Sequence, residues 1–311
     1  MFFRSFKIFI FIFIIIVLPV LVTGCKWDLS KKTFSSKNEE IKKELMELVK
    51  KEYKYNVKVE IINKTIGVYF PLSNLLEDDK AEEKKLNKEV AEKIDHVIFL
   101  THRVALSSDN NLDFYVIKTV DMENGNELSV VGYFYDVYRA RLANISKGEF
   151  SQRLLKGLNK NDKIINDWEG KNFKMNEIFL PDFLATQIAQ RIKIATTKKK
   201  DETEKNNFFS FVFEDKKLKE KFEAKEIQWA LKDKIFTFVL EIPDYQEENV
   251  QEIFNLILKT TADVLYAYDF DYSATRILIK NKTENKKIFF INKKDLELFR
   301  NRKIKIEELI D

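Results

Sequence analysis

Few residues of this chain have the types and spacing that catalysis or metal binding requires. Its 311 residues include one cysteine, Cys25, and two histidines, His96 and His102. Apart from Cys25 the chain has no thiol that could act as a nucleophile, form a disulfide or bind a metal ion. The histidines are six residues apart on a predicted helix, so they point to nearly opposite faces and cannot bind one metal ion together. We interpret His102, which precedes Arg103, as an exposed helix residue.

Two acidic groups carry oxygen ligands of the kind that divalent cations prefer. Glu77-Asp78-Asp79 with Glu82-Glu83 forms one group, and Asp269 with Asp271 forms the other. The first group lacks the glycine and the spacing of a calcium loop, and lysines offset its charge. We therefore favour a solvated helix start for the first group and a turn for the second. The sequence thus assigns no catalytic, cofactor-binding or metal-binding residue.

Two aromatic clusters are further candidates for a binding site. They are Tyr133-Phe134-Tyr135 and Tyr266-Ala267-Tyr268. Such rings can line a groove for a sugar or a peptide. At strand spacing they also pack in cores and across neighbouring strands. Packing is the interpretation we favour, and a binding groove is the alternative.

The amino terminus has the three parts of a secretory signal. Arg4 and Lys7 supply positive charge, Ile8 to Val22 supply the apolar stretch, and Thr23-Gly24 supply small residues before Cys25. Positive residues stay on the cytoplasmic side, so the end that carries the cysteine should cross the membrane. Residues 1–24 are therefore predicted to be a hydrophobic signal helix.

The segment Val22-Thr23-Gly24-Cys25 resembles the lipobox of bacterial lipoproteins. The resemblance implies cleavage between Gly24 and Cys25, a diacylglycerol on the Cys25 sulfur, and a fatty acid such as palmitate on the new amino terminus. Each buried methylene contributes about 0.8 kcal/mol, so two or three such chains hold a protein firmly to a lipid bilayer.

The same resemblance implies a location in the cell envelope. An Asp directly after the lipidated cysteine is similar to an inner-membrane retention signal. In this chain that position is occupied by Lys26. This implies the outer membrane, facing the periplasm, in a two-membrane bacterium and the outer face of the cytoplasmic membrane otherwise. The alternatives are an uncleaved transmembrane anchor and an ordinary signal peptide with a chance cysteine. The apolar stretch is shorter than the ~20 residues of a spanning helix, and an unpaired exported cysteine is a liability.

Composition excludes several classes of protein. The net charge of +4 falls to +2 once Arg4 and Lys7 are removed with the signal (4 − 2 = 2). A nearly neutral chain with interspersed charges has no strong attraction to nucleic acid. Seven glycines and four prolines disfavour propellers and glycine-rich phosphate loops. No Gly-x-Ser-x-Gly, phosphate-loop, His-Glu-x-x-His or Rossmann motif is present.

The body of the chain predicts an α+β fold made of two similar α-ββ-α-ββ-αα units with antiparallel sheets. Residues 57–70 align with 227–240, and residues 90–109 with 250–269, both without a gap. Asn63-Lys64 and Asp233-Lys234 are at the predicted hairpin turns. Two more strands follow in each unit, and then helices at 136–150 and 295–309, with Asp136 and Asp295 as predicted N-caps.

These elements predict five segments. The signal peptide (1–24) is followed by a tether (25–37), the first unit (38–160), a helical bridge with a charged linker (161–207) and the second unit (208–311). The bridge contains a helix over residues 180–197. The second unit begins with a strand at 208–213 and a helix at 215–224.

Three functions remain open at this point. The first is a non-enzymatic envelope lipoprotein whose duplicated body binds or scaffolds other envelope proteins or the cell wall, with the lipid bilayer bound through acylated Cys25. The second is a membrane-anchored hydrolase that uses Asp, Glu or Lys. The third is a carrier of apolar ligands, which requires a cavity lined by Phe and Ile.

Overall fold

The computed structural model describes residues 38–77, 85–196, 226–242, 250–280 and 286–309. The predicted signal helix and tether, the strand predicted at 208–213, the helix predicted at 215–224 and most of the first acidic group lie outside the described residues. Within the described ranges the fold is α+β, as predicted, with seven α-helices and sheets of five and four strands. None of these helices combines the length and the apolar character needed to cross a bilayer.

The first sheet has the strand order β1-β2-β3-β4-β5. Its elements are α1 (Asn38–Tyr53), β1 (Lys58–Ile62), β2 (Thr65–Leu72), α2 (Lys88–Ser107), β3 (Phe114–Asp121), β4 (Asn126–Tyr133), α3 (Phe134–Arg141), α4 (Lys147–Arg153) and β5 (Leu155–Lys160). The turn between β1 and β2 is at Asn63-Lys64, as predicted, and Asn63 has a left-handed φ of 48°. Strand β5 was not predicted.

The pairing of β2 with β3 corrects the expectation that this sheet is antiparallel. β2 and β3 are parallel, with Val68 opposite Ile117, whereas the pairs on either side are antiparallel. The physical reason is the way in which β2 is connected to β3. Helix α2 carries the chain back along the sheet before β3 begins, so that β3 runs in the same direction as β2.

The second sheet repeats this arrangement with four strands, in the order β6-β7-β8-β9. Its elements are α5 (Leu180–Thr196), β6 (Glu226–Lys232), β7 (Ile235–Glu241), α6 (Val250–Ala267), β8 (Ala274–Lys280), β9 (Lys286–Asn292) and α7 (Lys293–Arg300). The β7–β8 pair, connected through α6, is again parallel, and its neighbours are antiparallel. Asp233 and Lys234, at the predicted hairpin turn, both have left-handed φ values, of 53° and 62°.

The two predicted aspartate N-caps are wrong. Helix α3 begins at Phe134, so Asp136 lies inside its first turn, and its carboxylate bonds to Arg153 instead of to the helix start. Helix α7 begins after Asn292, whose side chain accepts a hydrogen bond from the Asp295 backbone N–H. Each helix begins two residues earlier than predicted, since the fourth strand passes into it directly.

Each sheet packs against helices, and α5 lies between the two cores. Helices α1 and α2 pack on the first sheet, around residues such as Leu45 and Val97. Helices α5 and α6 pack on the second sheet, where Phe183 and Phe254 belong to one buried cluster. Helix α5 also contacts β5 of the first sheet. The helix predicted for the bridge therefore contributes to the second core and contacts both sheets.

Candidate functional site

The structure brings the two aromatic clusters together at the junction of the two sheets. Tyr133 ends β4 and Tyr268 follows α6, and their ring centroids are 6.0 Å apart. Phe183 of α5 lies 6.3 Å from the first ring and 6.4 Å from the second. For these rings the packing interpretation is confirmed. The sequence did not predict that the two clusters meet, because they are far apart along the chain.

A buried polar cluster lies next to these rings. Arg153 Nη1 is 2.7 Å from Asp136 Oδ1, and the two side chains are only 4% and 2% exposed. The Tyr268 hydroxyl donates a hydrogen bond to the other Asp136 oxygen. Gln187 of α5 donates to the Arg153 carbonyl at 2.5 Å. The cluster thus links α3, α4, α5 and the end of α6.

The electrostatics of this cluster indicate a structural link. Burial raises the pKa of Asp136, although Tyr268 and Arg153 favour its ionised form. Burial also raises the pKa of Tyr268, and the adjacent carboxylate adds to this effect. Burial lowers the pKa of Arg153, but Asp136, Tyr268 and Glu149 outweigh burial and raise it overall. Both carboxylate oxygens of Asp136 are engaged, so this group holds elements together and is not placed to act as a general base.

Arg139 connects the same two parts of the chain at the surface. Its Nη1 donates a hydrogen bond to the carbonyl of Ala267, the last residue of α6, at 3.0 Å. A cation at this position stabilises the unpaired carbonyls and the negative end of the helix dipole. The Arg139 guanidinium also lies over the Tyr135 ring, 5.5 Å from its centroid. Helix α3 is therefore held against the end of α6.

The remaining members of the aromatic clusters are exposed. Tyr135 and Tyr138 are 51% and 55% exposed, and Leu142, directly after α3, is 55% exposed. Their spacing of three and four places them on one stripe of the helix. Tyr266, near the end of α6, is 60% exposed, and its ring lies under the Arg300 guanidinium at 3.6 Å. We call Tyr135, Tyr138, Leu142 and Tyr266 the aromatic surface.

The fold itself does not require this aromatic stripe. Helix α7 occupies the same position after the second sheet, since Tyr133 pairs with Phe114 as Asn292 pairs with Ala274. Its residues at the three positions that match Tyr135, Tyr138 and Leu142 are exposed and polar: Lys294, Glu297 and Asn301. The exposed aromatic rings are therefore present after the first sheet and absent from the matching positions after the second.

The expectation that His102 is exposed is wrong. Its ring is buried against Tyr115, with centroids 4.6 Å apart, and near Phe134 and Phe150. Burial, helped by the charge of Arg141, lowers its pKa to about 3. The cause is tertiary, because α3 and α4 cover the side of α2 that carries His102.

His96 lies elsewhere on α2, where it stacks on Tyr53 with centroids 4.1 Å apart. The two histidines therefore contact different parts of the molecule. Among the described residues, no three His, Cys, Asp or Glu side chains are grouped to hold a metal ion. Of the acidic candidates, Asp269 lies in a turn with a φ of 47°, and Asp271 is paired with Lys234 at 2.5 Å.

A small pocket lies beside the aromatic surface. Tyr266, Phe270 and Arg300 are among its lining residues, and its volume is about 60 Å³. Ligand pockets in proteins are typically about 300–1,000 Å³. This pocket therefore has room for a few waters and not for an apolar ligand.

Comparison with known proteins adds no functional assignment. No protein-family model, no curated protein and no solved structure matches the chain.

Proposed function

We propose that this protein is a bacterial envelope lipoprotein, anchored by acylated Cys25, with a binding body made of two duplicated α+β units. The segment Val22-Thr23-Gly24-Cys25, after an apolar run with positive charges before it, is the observation that carries the anchor. Residues 1–24 act as the signal helix and residues 25–37 as the tether. The protein binds the lipid bilayer through the acyl chains on Cys25.

Duplication is supported by pairing as well as by sequence. In each unit a hairpin is followed by a helix, a parallel strand, a second antiparallel strand and a further helix. Residues 90–109 align with 250–269 without a gap, and each segment covers most of the connecting helix of its unit. A gene duplication that was followed by divergence accounts for both facts.

A binding role is supported by the aromatic surface. Arg139 lies over the exposed Tyr135 ring and Arg300 over the exposed Tyr266 ring, and tyrosine and arginine are enriched among the residues that contribute most to binding energy. Asp136 does not support the hydrolase alternative, because its buried carboxylate is already engaged on both oxygens. The pocket beside Tyr266 is too small to support the carrier alternative.

Acylation of Cys25 tests the anchor. In cells that express the full chain, we expect globomycin to block processing and a fatty-acid label to be incorporated. The Cys25→Ser variant should lose the label and leave the membrane fraction, since the thioether cannot form. Trp27→Phe, two residues away, is the matched control and should be labelled normally. An intact starting methionine with an unmodified thiol in the mass spectrum of the purified protein contradicts the proposal.

A further inference from the structure

We propose that Ser151 and Lys156 form a nucleophile–base pair that hydrolyses uncharged acyl esters. The Ser151 hydroxyl attacks the ester, and the Lys156 amine takes the proton of this hydroxyl. This activity goes beyond the proposed binding role and does not depend on the lipid at Cys25. It assigns named residues to the hydrolase alternative, which expected Asp, Glu or Lys.

The contact between the two side chains has the geometry of such a pair. Lys156 Nζ lies 3.1 Å from Ser151 Oγ, and a general base works within about 2.6–3.2 Å of the proton donor. Both residues are only partly buried, so a substrate can reach the hydroxyl from the solvent. Serine with a lysine base is a known variant of the serine–histidine arrangement.

The fold holds both residues in place through the backbone. Ser151 lies in α4 and Lys156 in β5, on either side of a helix-to-strand junction. Strand β5 pairs with β4, and the Lys156 backbone N–H donates a hydrogen bond to Gln190 Oε1 of α5 at 3.1 Å. Arg191, also of α5, donates to the Gln152 carbonyl at 3.3 Å, next to Ser151. Groups fixed in this way need little reorganisation to react.

The environment of Lys156 favours the neutral amine, which is the form that accepts a proton. Burial lowers the pKa of Lys156 to about 8, although the Asp95 carboxylate of α2 opposes this shift. About half of this lysine is therefore neutral at a pH of about 8. A general base works best when its pKa is close to the working pH.

The charge near the pair indicates an uncharged ester as substrate. Asp95 lies close enough to Lys156 for each of the two groups to shift the pKa of the other. A carboxylate in this place repels an anionic acyl group. An ester also suits a base of this strength better than an amide does, because an alkoxide is a better leaving group than an amine anion.

The reaction consists of two acyl transfers. In the first, the Ser151 oxygen bonds to the ester carbonyl carbon and its proton passes to neutral Lys156. The bond from this carbon to the alcohol oxygen then breaks, and Lys156 gives the proton to that oxygen. In the second transfer, water attacks the acyl-serine, and Lys156 passes a proton from the water to the Ser151 oxygen. One ester and one water thus give one acid and one alcohol, and both residues are restored.

Hydrolysis of p-nitrophenyl acetate by the full chain, purified in detergent, tests the inference. We expect kcat/KM to rise with pH and to reach half of its maximum at about pH 8. Ser151→Ala removes the nucleophile, and Lys156→Arg keeps the positive charge but cannot give up its proton. Each should lower kcat/KM at pH 8 by about 10²–10⁴-fold.

Two substitutions are matched controls for this assay. Ser107→Ala removes an exposed hydroxyl from α2, and Lys160→Arg changes an exposed lysine at the end of β5. Both variants should hydrolyse the ester like wild type. The melting temperatures of all variants should match that of wild type, since none of these substitutions changes the apolar core.

Two further measurements do not depend on removing either residue of the pair. A fluorophosphonate probe should label Ser151 in wild type, as located by mass spectrometry of the peptides, and should react faster at pH 9 than at pH 7. Asp95→Asn should move the midpoint of the pH profile to lower pH, because the charge that opposes the effect of burial is gone.

Four outcomes overturn the inference. They are the absence of ester hydrolysis by wild type, equal activity of Ser151→Ala, equal activity of Lys156→Arg, and labelling of a residue other than Ser151. The acylation test at Cys25 concerns a different residue and a different readout. Failure of either experiment therefore leaves the other proposal standing.

Discussion

His102 illustrates how one buried side chain sets a dependence of stability on pH. Its Nε2 is buried and has no hydrogen-bond partner among the described residues. Because burial lowers the pKa of His102 to about 3, against about 6.5 in an unfolded chain, the unfolded state binds more protons between these values. The contribution of neutral His102 to stability is therefore complete above pH 6.5 and is lost as the pH falls toward 3.

This pH dependence can be measured with one substitution. We expect the free energy of unfolding of wild type, measured by urea denaturation, to lose about 2–3 kcal/mol through His102 between pH 7 and pH 4.5. His102→Phe should remove this part of the loss, since Phe carries no proton. His96→Phe, on the same helix, leaves His102 in place and should retain it. If the curves of wild type and His102→Phe have the same pH dependence, the assignment to His102 is wrong.

At the scale of a strand, glycine is required where the backbone of β4 lies against the Tyr115 ring of β3. A Cβ atom at Gly132 of β4 would overlap the Tyr115 ring of β3, whereas a Cβ at Gly157 of β5 would meet no atom within 4 Å. Tyr115 is fully buried, so its ring has no free space to move into. The two glycines of neighbouring strands thus have different roles, and only the first is required for packing.

Alanine at each glycine tests this difference. Gly132→Ala should lower the free energy of unfolding by about 1–3 kcal/mol, because the added methyl group overpacks the core. Gly157→Ala should leave it unchanged or raise it by about 0.4–1 kcal/mol, since alanine restricts the unfolded chain. Both values come from urea denaturation at pH 7. Equal effects of the two substitutions would show that Tyr115 moves aside at little cost.

Most elements, but not their pairing, could be predicted from local pattern. The apolar spacing of residues 90–109 predicted α2 to within two residues at each end, and the polar pairs at 63–64 and 233–234 predicted both hairpin turns. The parallel β2–β3 pair was missed, since alternation specifies a strand and not its neighbour. Strand β5 was missed because Leu155–Lys160 has little apolar alternation and depends on β4 for its partner.

At the scale of the whole molecule, the buried polar cluster joins the two sheets. Asp136 and Arg153 lie in α3 and α4, which follow the fourth strand of the first sheet. Gln187 lies in α5 and Tyr268 directly follows α6, and both of these helices belong to the second core. A buried pair contributes little net stability when intact, but loss of one partner leaves a charge without compensation. The cluster is therefore expected to keep the two parts of the body in one arrangement.

Substitutions at this pair test the role of the cluster. Asp136→Ala should lower the free energy of unfolding by about 3–5 kcal/mol, because Arg153 stays buried and charged. Asp136→Leu with Arg153→Met should recover most of this loss, since neither buried charge remains. Asp271→Ala breaks the exposed pair with Lys234 and should change stability little. The inference of a joining cluster fails if the Asp136 and Asp271 variants are equally stable.

The candidate site was predictable in its residues but not in its arrangement. The clusters at 133–135 and 266–268 stood out in the sequence as aromatic, and both contribute to the junction. Their sequence did not show that Tyr133 and Tyr268 pack inside while Tyr135 and Tyr266 remain exposed. Tyr138 and Leu142 were overlooked, although their helical spacing from Tyr135 was a usable signal once the start of α3 was known.

Sequence alone determined the features that depend on neighbours along the chain: the helical stripes, the turns and the α+β class. Tertiary structure alone decided the strand neighbours, the burial of His102 and the meeting of two aromatic clusters more than a hundred residues apart. The reason is physical. Periodicity and turn chemistry act within a few residues, whereas burial and pairing depend on which distant segments exclude water from each other.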